Sequence, residues 1–328
     1  MIRAFDWRDL PLLRRIRNRG LCLDSRLSYT RGPNVLQYAL LDALNPVRSA
    51  STLVARPASS ADGEPALAQY FYHGDDPNAY LAYVSPSEVL DGPNADELLE
   101  ALARSAGERG AHNLIAEVDE SLLAFESLRR AGFAIYARQR IWTLSTAAAE
   151  PGDGAASGLP AQWRPEVASD ETPISSLYLN LVPALVQQVE QPPQPNAHNL
   201  VYWQTGEMLG YLNIDRGPLG LWIQPYFHPA AEHADRLLAG FLAQLEPQRR
   251  GRPLYVCVRS YQSWMGASLQ SLGFECCCDQ AVMVKRLTAG VRQMSPSLIP
   301  ALEGAVKTTS PLAHVDNAET PTKISTTL

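Results

Sequence analysis

Residues 84–99, VSPSEVLDGPNADELL, and residues 223–238, IQPYFHPAAEHADRLL, decide how this chain is read. Set 139 positions apart, they place Pro86 over Pro225, Ala95-Asp96 over Ala234-Asp235 and Leu98-Leu99 over Leu237-Leu238. In both, an apolar run stops two residues before a proline, a loop follows, and a helix opens on an acidic first turn that complements its dipole. Further out, Gly132-Phe133 and Gly273-Phe274 match at a spacing of 141, which requires one small insertion. Arg3 leads Asp9 by six residues, as Arg164 leads Asp170. Two unrelated domains of one class can share composition, whereas constant spacing is the sign of an internal repeat.

The chain between these landmarks has the length for two cores. Its 328 residues exceed what one hydrophobic core usually serves, and 46% apolar with 19% charged residues is ordinary for a globular protein. The first half reads as strand, helix from Asp9-Leu10-Pro11, a loop from Leu21 to Pro33, and a second helix over 34–44. Strands follow at 52–55, 66–72 and 79–84, then a helix over 94–109, a strand at 113–118, a helix over 121–130, and two strands at 134–136 and 138–144. Residues 146–161 (AAAEPGDGAASGLPAQ) lack apolar period and read as a linker. The order then restarts, with strands at 163–166, 200–204, 209–214, 221–224 and 254–258, helical stretches over 173–189, 234–245 and 263–271, and terminal strands through Leu287. The fold class is α/β with a mixed (α+β) sheet: domains 1–145 and 162–289, a linker, and a Ser/Thr/Pro-rich tail over 290–328 that reads as disordered.

Bulk chemistry excludes several partners. A formal charge of −6 argues against a nucleic-acid footprint. No secretory signal is visible and no run stays apolar for the ~18 residues a membrane span requires, so the reading is a cytoplasmic protein with no membrane partner. Cys22, Cys257 and the contiguous Cys276-Cys277-Cys278 show no paired spacing. Neighbouring strand residues point to opposite faces, so three in a row do not converge on one metal; they read as core filler, and no metal is expected.

The order of strand, two helices, three strands, helix, strand, helix and two strands resembles the GNAT superfamily of N-acetyltransferases. Ile2-Arg3 before Asp9-Leu10-Pro11 is similar to that family's first strand and helix. Val84-Ser85-Pro86 and Ile223-Gln224-Pro225 look like the end of its fourth strand, and LRRAGF (128–133) and LQSLGF (269–274) like the turn after its last helix. The resemblance implies two tandem acyl-CoA N-acyltransferase-like domains, with acetyl-CoA as co-substrate and a small-molecule or peptide amine as acceptor.

It also implies where the anion would rest: on free N–H groups at the start of the central helix, near Val84, Gly92, Asn94 and Ala95 in the first copy. In the second copy the corresponding residues are Ile223, Gln224, Ala230, Ala231, Glu232, His233, Ala234 and Asp235. The family's pattern of Gln or Arg, two residues, Gly, one residue, Gly or Ala falls on Leu90, Pro93 and Ala95, and on Pro229, Glu232 and Ala234, so only the last small residue survives. Ala95 and Ala234 read equally as good first-turn helix residues. The usual general-acid Tyr falls on Leu128 and Leu269, and the family's Asn on Ser121 and Gln262, of which Gln262 keeps the carboxamide. Glu117 is a candidate base, with a backbone-held water as the alternative and a solvated strand end as the bland reading. Asp24 could meet an amine or sit in a solvated loop. Two functions stay open: an acyltransferase, and a catalytically silent tandem module that binds a small molecule or a protein partner. Any acyl-CoA binding is expected in the second copy, whose loop carries less unopposed acidity than Glu88, Asp91, Asp96 and Glu97 give the first. The oligomeric state is not legible.

Overall fold

The computed structural model describes residues 1–33, 37, 39, 50–57, 64–74, 76–92, 94–145, 163–231, 234–249 and 251–287. The expected second helix over 34–44 falls almost wholly outside them, as do the linker and the tail. The described strands form one sheet: β1 (Ile2–Ala4), β2 (Leu21–Cys22), β3 (Ala50–Ala55), β4 (Ala66–Tyr72), β5 (Asn78–Ser85), β6 (Asn113–Val118), β7 (Ala134–Leu144), β8 (Arg164–Pro165), β9 (Leu200–Gln204), β10 (Glu207–Arg216), β11 (Leu221–Phe227), β12 (Leu254–Arg259) and β13 (Glu275–Arg286). Their order is β1-β3-β4-β5-β6-β13-β7-β12-β11-β10-β9-β8, with β2 on β5. The helices are α1 (Leu10–Ile16), α2 (Ser25–Arg31), α3 (Ala95–Glu108), α4 (Leu123–Arg130), α5 (Glu171–Leu181), α6 (Ala184–Gln187), α7 (Ala234–Arg249) and α8 (Met265–Ser271).

The landmarks of the sequence occupy matching places. Leu98-Leu99 and Leu237-Leu238 are buried in the first turns of α3 and α7, and Gly132 and Gly273 take φ of 88° and 84° in the turns after α4 and α8. That left-handed backbone favours glycine. Arg3 forks onto buried Asp9 at 2.7 and 2.8 Å, and Arg164 onto buried Asp170 at 2.7 Å twice. Each carboxylate also accepts the amide three residues before it, from Asp6 and Val167, so the pair fixes the chain as strand passes to helix. Arg164, against the opposing effect of burial, holds the Asp170 carboxyl below its ordinary range.

The terminal strands depart from expectation. Each half ends in one long strand rather than two short ones, and the two are exchanged: β13 lies between β6 and β7, while β7 lies between β13 and β12. They run antiparallel, with Gln139 opposite Gln280, positions that share the 141-residue spacing of the glycines. The cysteine run is also corrected. A bulge between Cys276 and Cys278 breaks the alternation, and Cys276 and Cys277 are exposed instead of filling the core.

Helices cover both faces. On one, α3 and α4 pack over the first half's strands and α7 and α8 over the second's. On the other, cover crosses between halves. Tyr29 of α2 stacks with Trp222 and Tyr255 of the second half, at 6.1 and 4.3 Å between centroids. Ile174 and Leu177 of α5, Val182 just after it and Val186 of α6 pack with Ile115, Tyr136 and Ala137 of the first. Contact at α2 is close enough that a Cβ on Gly217 would lie 2.0 Å from the Thr30 carbonyl oxygen. Among the described residues, no helix is long and apolar enough to cross a membrane.

Candidate functional site

Each half contains a pair of parallel strands that meet for three residues and then part. In the first, β5 and β6 pair at Asn78–Tyr80 with Asn113–Ile115. In the second, β11 and β12 pair at Leu221–Ile223 with Leu254–Val256. Parting strands leave unpaired N–H and C=O groups facing a gap, and those groups must be satisfied.

The first gap is closed by main chain. Leu21 and Cys22 pair with Val84 and Tyr83, the Leu23 amide donates to the Ala82 carbonyl at 2.9 Å, and the Glu117 amide donates to the Leu23 carbonyl at 2.8 Å. Leu23 itself is buried in the core. Glu117, the candidate base, is thus held at the closed gap, its carboxylate accepting the Ser25 amide at 2.8 Å. Asp24, the candidate amine ligand, caps α2 by accepting the Leu27 amide at 2.9 Å. The helix it caps had read as a loop.

The second gap is closed by one side chain. Buried Gln262 accepts the Phe227 amide at 3.0 Å and donates to the Pro225 carbonyl at 2.8 Å, so its carboxamide imitates a strand's peptide group. Ser121, at the matching place of the first half, is exposed and its amide donates to Asp119 instead.

Several of the described loop amides before the two helices are taken by local acceptors. Before α3, the amides of Val89, Gly92 and Ala95 donate to Pro86, Val89 and Gly92 carbonyls at 3.2 to 3.3 Å; Val84 and Ala95 are buried and Asn94 is exposed. A cavity of 470 Å³ there is lined by Glu64, Glu88 and Glu97 against Arg56, which is itself paired with Asp9. Such a lining repels phosphate. Before α7, the Ala230 amide donates to the His228 ring Nδ1 at 3.1 Å and the Ala231 amide to the His228 carbonyl at 2.8 Å. Glu232 and His233 lie outside the described residues; Ala234 begins α7, and Asp235 is exposed in its first turn.

Polar side chains gather on the face that α2 and α5–α6 share. Strand alternation places Trp222, Gln224 and Tyr226 of β11 on that face together with Tyr255, Cys257 and Arg259 of β12. Arg259 is 6% exposed; its Nη2 donates to Glu190, which also accepts the Tyr136 hydroxyl at 2.7 Å, while Tyr178 donates to the Glu190 carbonyl at 2.9 Å. Burial opposes the Arg259 charge, but Glu190 together with Tyr136, Cys257 and Tyr261 outweighs it and keeps the guanidinium protonated. Burial likewise pushes the hydroxyls of Tyr136, Tyr226 and Tyr261 up, so each remains a neutral donor. Toward the first half, Ser25 and Gln139 both donate to the Gln280 side chain, at 2.8 and 2.9 Å, and the exposed Arg26 stands among Asp24, Tyr80, Asp215 and Glu117. Desolvation, offset by Arg26 and reinforced by Glu117, pushes the Asp24 carboxyl up to about 6.

Sequence reasoning missed Arg259, Tyr261 and Glu190. A charged residue ending an apolar strand, as in YVCVR (255–259), was the available signal; its partner 69 residues away was not legible. Among the described residues no group of three His, Cys, Asp or Glu could hold a metal ion.

No family model matches the sequence, and no curated protein matches it. Solved structures do. A GCN5-related N-acetyltransferase from Sphaerobacter thermophilus shares 16% identity, with 89% of this chain and 96% of that one aligned at a TM-score of 0.54. A tandem GNAT protein from the clavulanic acid biosynthesis pathway shares 15% over 75% of this chain and 84% of its own, at 0.48. A Drosophila protein shares 14% over 88% and 99%, at 0.49. At this identity the likeness is one of architecture: the chain has the fold of the GCN5-related N-acetyltransferases, a mixed sheet flanked by helices.

Proposed function

We propose that the chain is an acyl-CoA-dependent N-acyltransferase built from two copies of one domain, in which only the second copy takes the acyl donor and the amine is taken on the face that carries Asp24 and Glu117. The observation that carries this reading is the different closure of the two gaps. Removing Leu21–Leu23 from the first means unzipping backbone pairing and a buried leucine. Vacating the second means turning one glutamine side chain, after which the Pro225 carbonyl and Phe227 amide are free to pair with the amide groups of a pantetheine arm.

In that arrangement the thioester carbonyl lies between β11 and β12 and is approached from the α2 face. The amine, deprotonated by a carboxylate of the Asp24–Glu117 group directly or through water, attacks the carbonyl carbon. The C–N bond forms, the C–S bond breaks, and coenzyme A leaves as thiolate. Asp24 suits the base role, since a carboxyl near 6 is ionised at neutral pH yet basic enough to take a proton. Backbone donors on β11 stabilise the oxyanion.

The silent-module reading has one observation in its favour, the satisfied bonds of Gln262. The test is calorimetry and thermal shift of the full chain with acetyl-CoA and with free CoA, followed by mass spectrometry of an amine panel. Binding to the native state raises its stability as RT ln(1 + [L]/Kd), so a shift at millimolar ligand with acylated product supports transfer. No shift with either ligand leaves the silent module.

A further inference from the structure

The bulge in β13 sets two thiols side by side. In an unbroken strand neighbours point to opposite faces, and Cys276, paired with Trp142, lies on the far side from Cys278, paired with Ile141. The extra residue, Cys277, turns to the face of Cys278, and both sulfurs lie against one hydroxyl: the Tyr29 oxygen is 3.2 Å from Cys277 Sγ and 3.7 Å from Cys278 Sγ. The two thiols are also close enough to hydrogen-bond one another. Their settings differ. Cys277 is exposed, whereas Cys278 is half-buried and packs with Ile141, Trp222 and Cys257 under Tyr29 of α2. Burial pushes the Cys278 thiol up to about 12, and the Tyr29 hydroxyl works against that by donating to its thiolate. Tyr29 itself stays protonated, since burial and then both thiols push its hydroxyl up.

We propose that Cys277 and Cys278 are a modification site, a thiol pair that a small disulfide such as glutathione disulfide oxidises to a bond between the two neighbours. The exposed Cys277, as thiolate, attacks one sulfur of the small disulfide; the Cys277–sulfur bond forms, the reagent's own S–S bond breaks, and one small thiol leaves. Cys278 then loses its proton to water and its thiolate attacks the Cys277 sulfur. The Cys277–Cys278 bond forms and the second small thiol leaves, so the pair is oxidised by two electrons and the reagent is reduced to two thiols. The bulge permits the second step, because neighbours on opposite faces of a strand do not meet. Tyr29 is a positioning residue: its hydroxyl holds both sulfurs and stabilises the Cys278 thiolate. Closure takes the thiols from the side chain through which α2 stacks on Trp222 and Tyr255 of the second half. The site is independent of the acyltransferase reading.

The test treats the full chain with glutathione disulfide, blocks the remaining thiols by alkylation, and weighs the peptide that carries all three cysteines. That peptide should lose two hydrogens, regain them with dithiothreitol, and do the same in Cys276→Ser. In Cys278→Ser the reaction should stop at one glutathione on Cys277, and in Cys277→Ser no internal bond should form. Conversion of the mixed disulfide to the closed pair should quicken about ten-fold for each unit between pH 7 and 9, as the thiolate fraction of so weak an acid does. Tyr29→Phe keeps the ring that stacks on Trp222 and Tyr255, yet should slow that conversion several-fold at every pH. A lasting glutathione adduct on Cys277 of the parent, a bond that needs Cys276, a bond formed only between chains, or a peptide left reduced overturns the pair. A conversion rate unaltered in Tyr29→Phe overturns the part given to Tyr29.

Discussion

Two parallel strand pairs that part after three residues are closed by different means, and the difference teaches how main chain and side chain can satisfy the same kind of gap. In the first half the closing group is backbone: β2 and Leu23 are bonded to both parted strands, so the gap has become sheet. In the second it is the single carboxamide of Gln262. A side chain can rotate within nanoseconds once unpacked, whereas a strand leaves only with its whole neighbourhood. The two halves therefore repeat one strand pairing and differ in how firmly its gap is held shut.

The most severe way to break this comparison is to separate the halves. Expressed alone, 1–145 lacks the strand between β6 and β7, and 162–289 lacks the strand between β12 and β13. Neither should unfold cooperatively in a calorimeter, and mixing the two should restore one transition; two independent stable domains would refute the exchange. Next in size is Leu23→Pro. It deletes the amide that bonds Ala82, costs about 3 kcal/mol or more as prolines do where an N–H is in use, and should create no affinity for acetyl-CoA. Gln262→Leu is milder and opposite in ligand effect. It leaves the Phe227 amide and Pro225 carbonyl unpaired, lowering stability by about 2 kcal/mol in denaturant melts, while acetyl-CoA, no longer competing with the carboxamide, should bind several-fold tighter. Equal responses of the two variants would end the contrast.

How much of this was legible follows from where each signal lies. The paired leucines, the glycines after α4 and α8 and the Arg–Asp pairs are local patterns, and each occupies the element expected for it. The α2 helix was missed because SRLSYTR carries little apolar period, and its cap, Asp24, drew attention as a ligand. Strand exchange leaves no trace in the sequence, since β7 and β13 alternate in the same way whichever neighbour they find. The Arg259–Glu190 pair and the Gln262 closure depend on contacts 69 and 35 residues apart. Composition and spacing carry no record of such partners.

The smallest expected effect concerns pH. The folded-state pKa of Asp24, about 6, lies above its ordinary 3.8, so the folded protein holds this proton more tightly than the unfolded chain does. Stability from this group is present below the ordinary value and falls as pH rises from about 4 to 6. Asp24→Asn, which can still cap α2, should remove that slope and gain about 1 kcal/mol over the parent at pH 7 relative to pH 4, read from paired urea melts. Identical pH dependence in both proteins would mean that Asp24 titrates normally.

The exchanged strands also set a timetable for synthesis. When Leu144 leaves the ribosome the first half has all its own residues, yet the place beside β6 stays empty until Arg286 emerges, roughly 140 residues and on the order of 10 to 30 s later at ordinary translation rates. During that interval β6 presents an open row of backbone donors and acceptors to any strand nearby, including the β7 of the same chain or of a neighbour on the same message. The nascent first half is thus a waiting acceptor, and two chains made close together could trade β13 as readily as one chain donates it to itself.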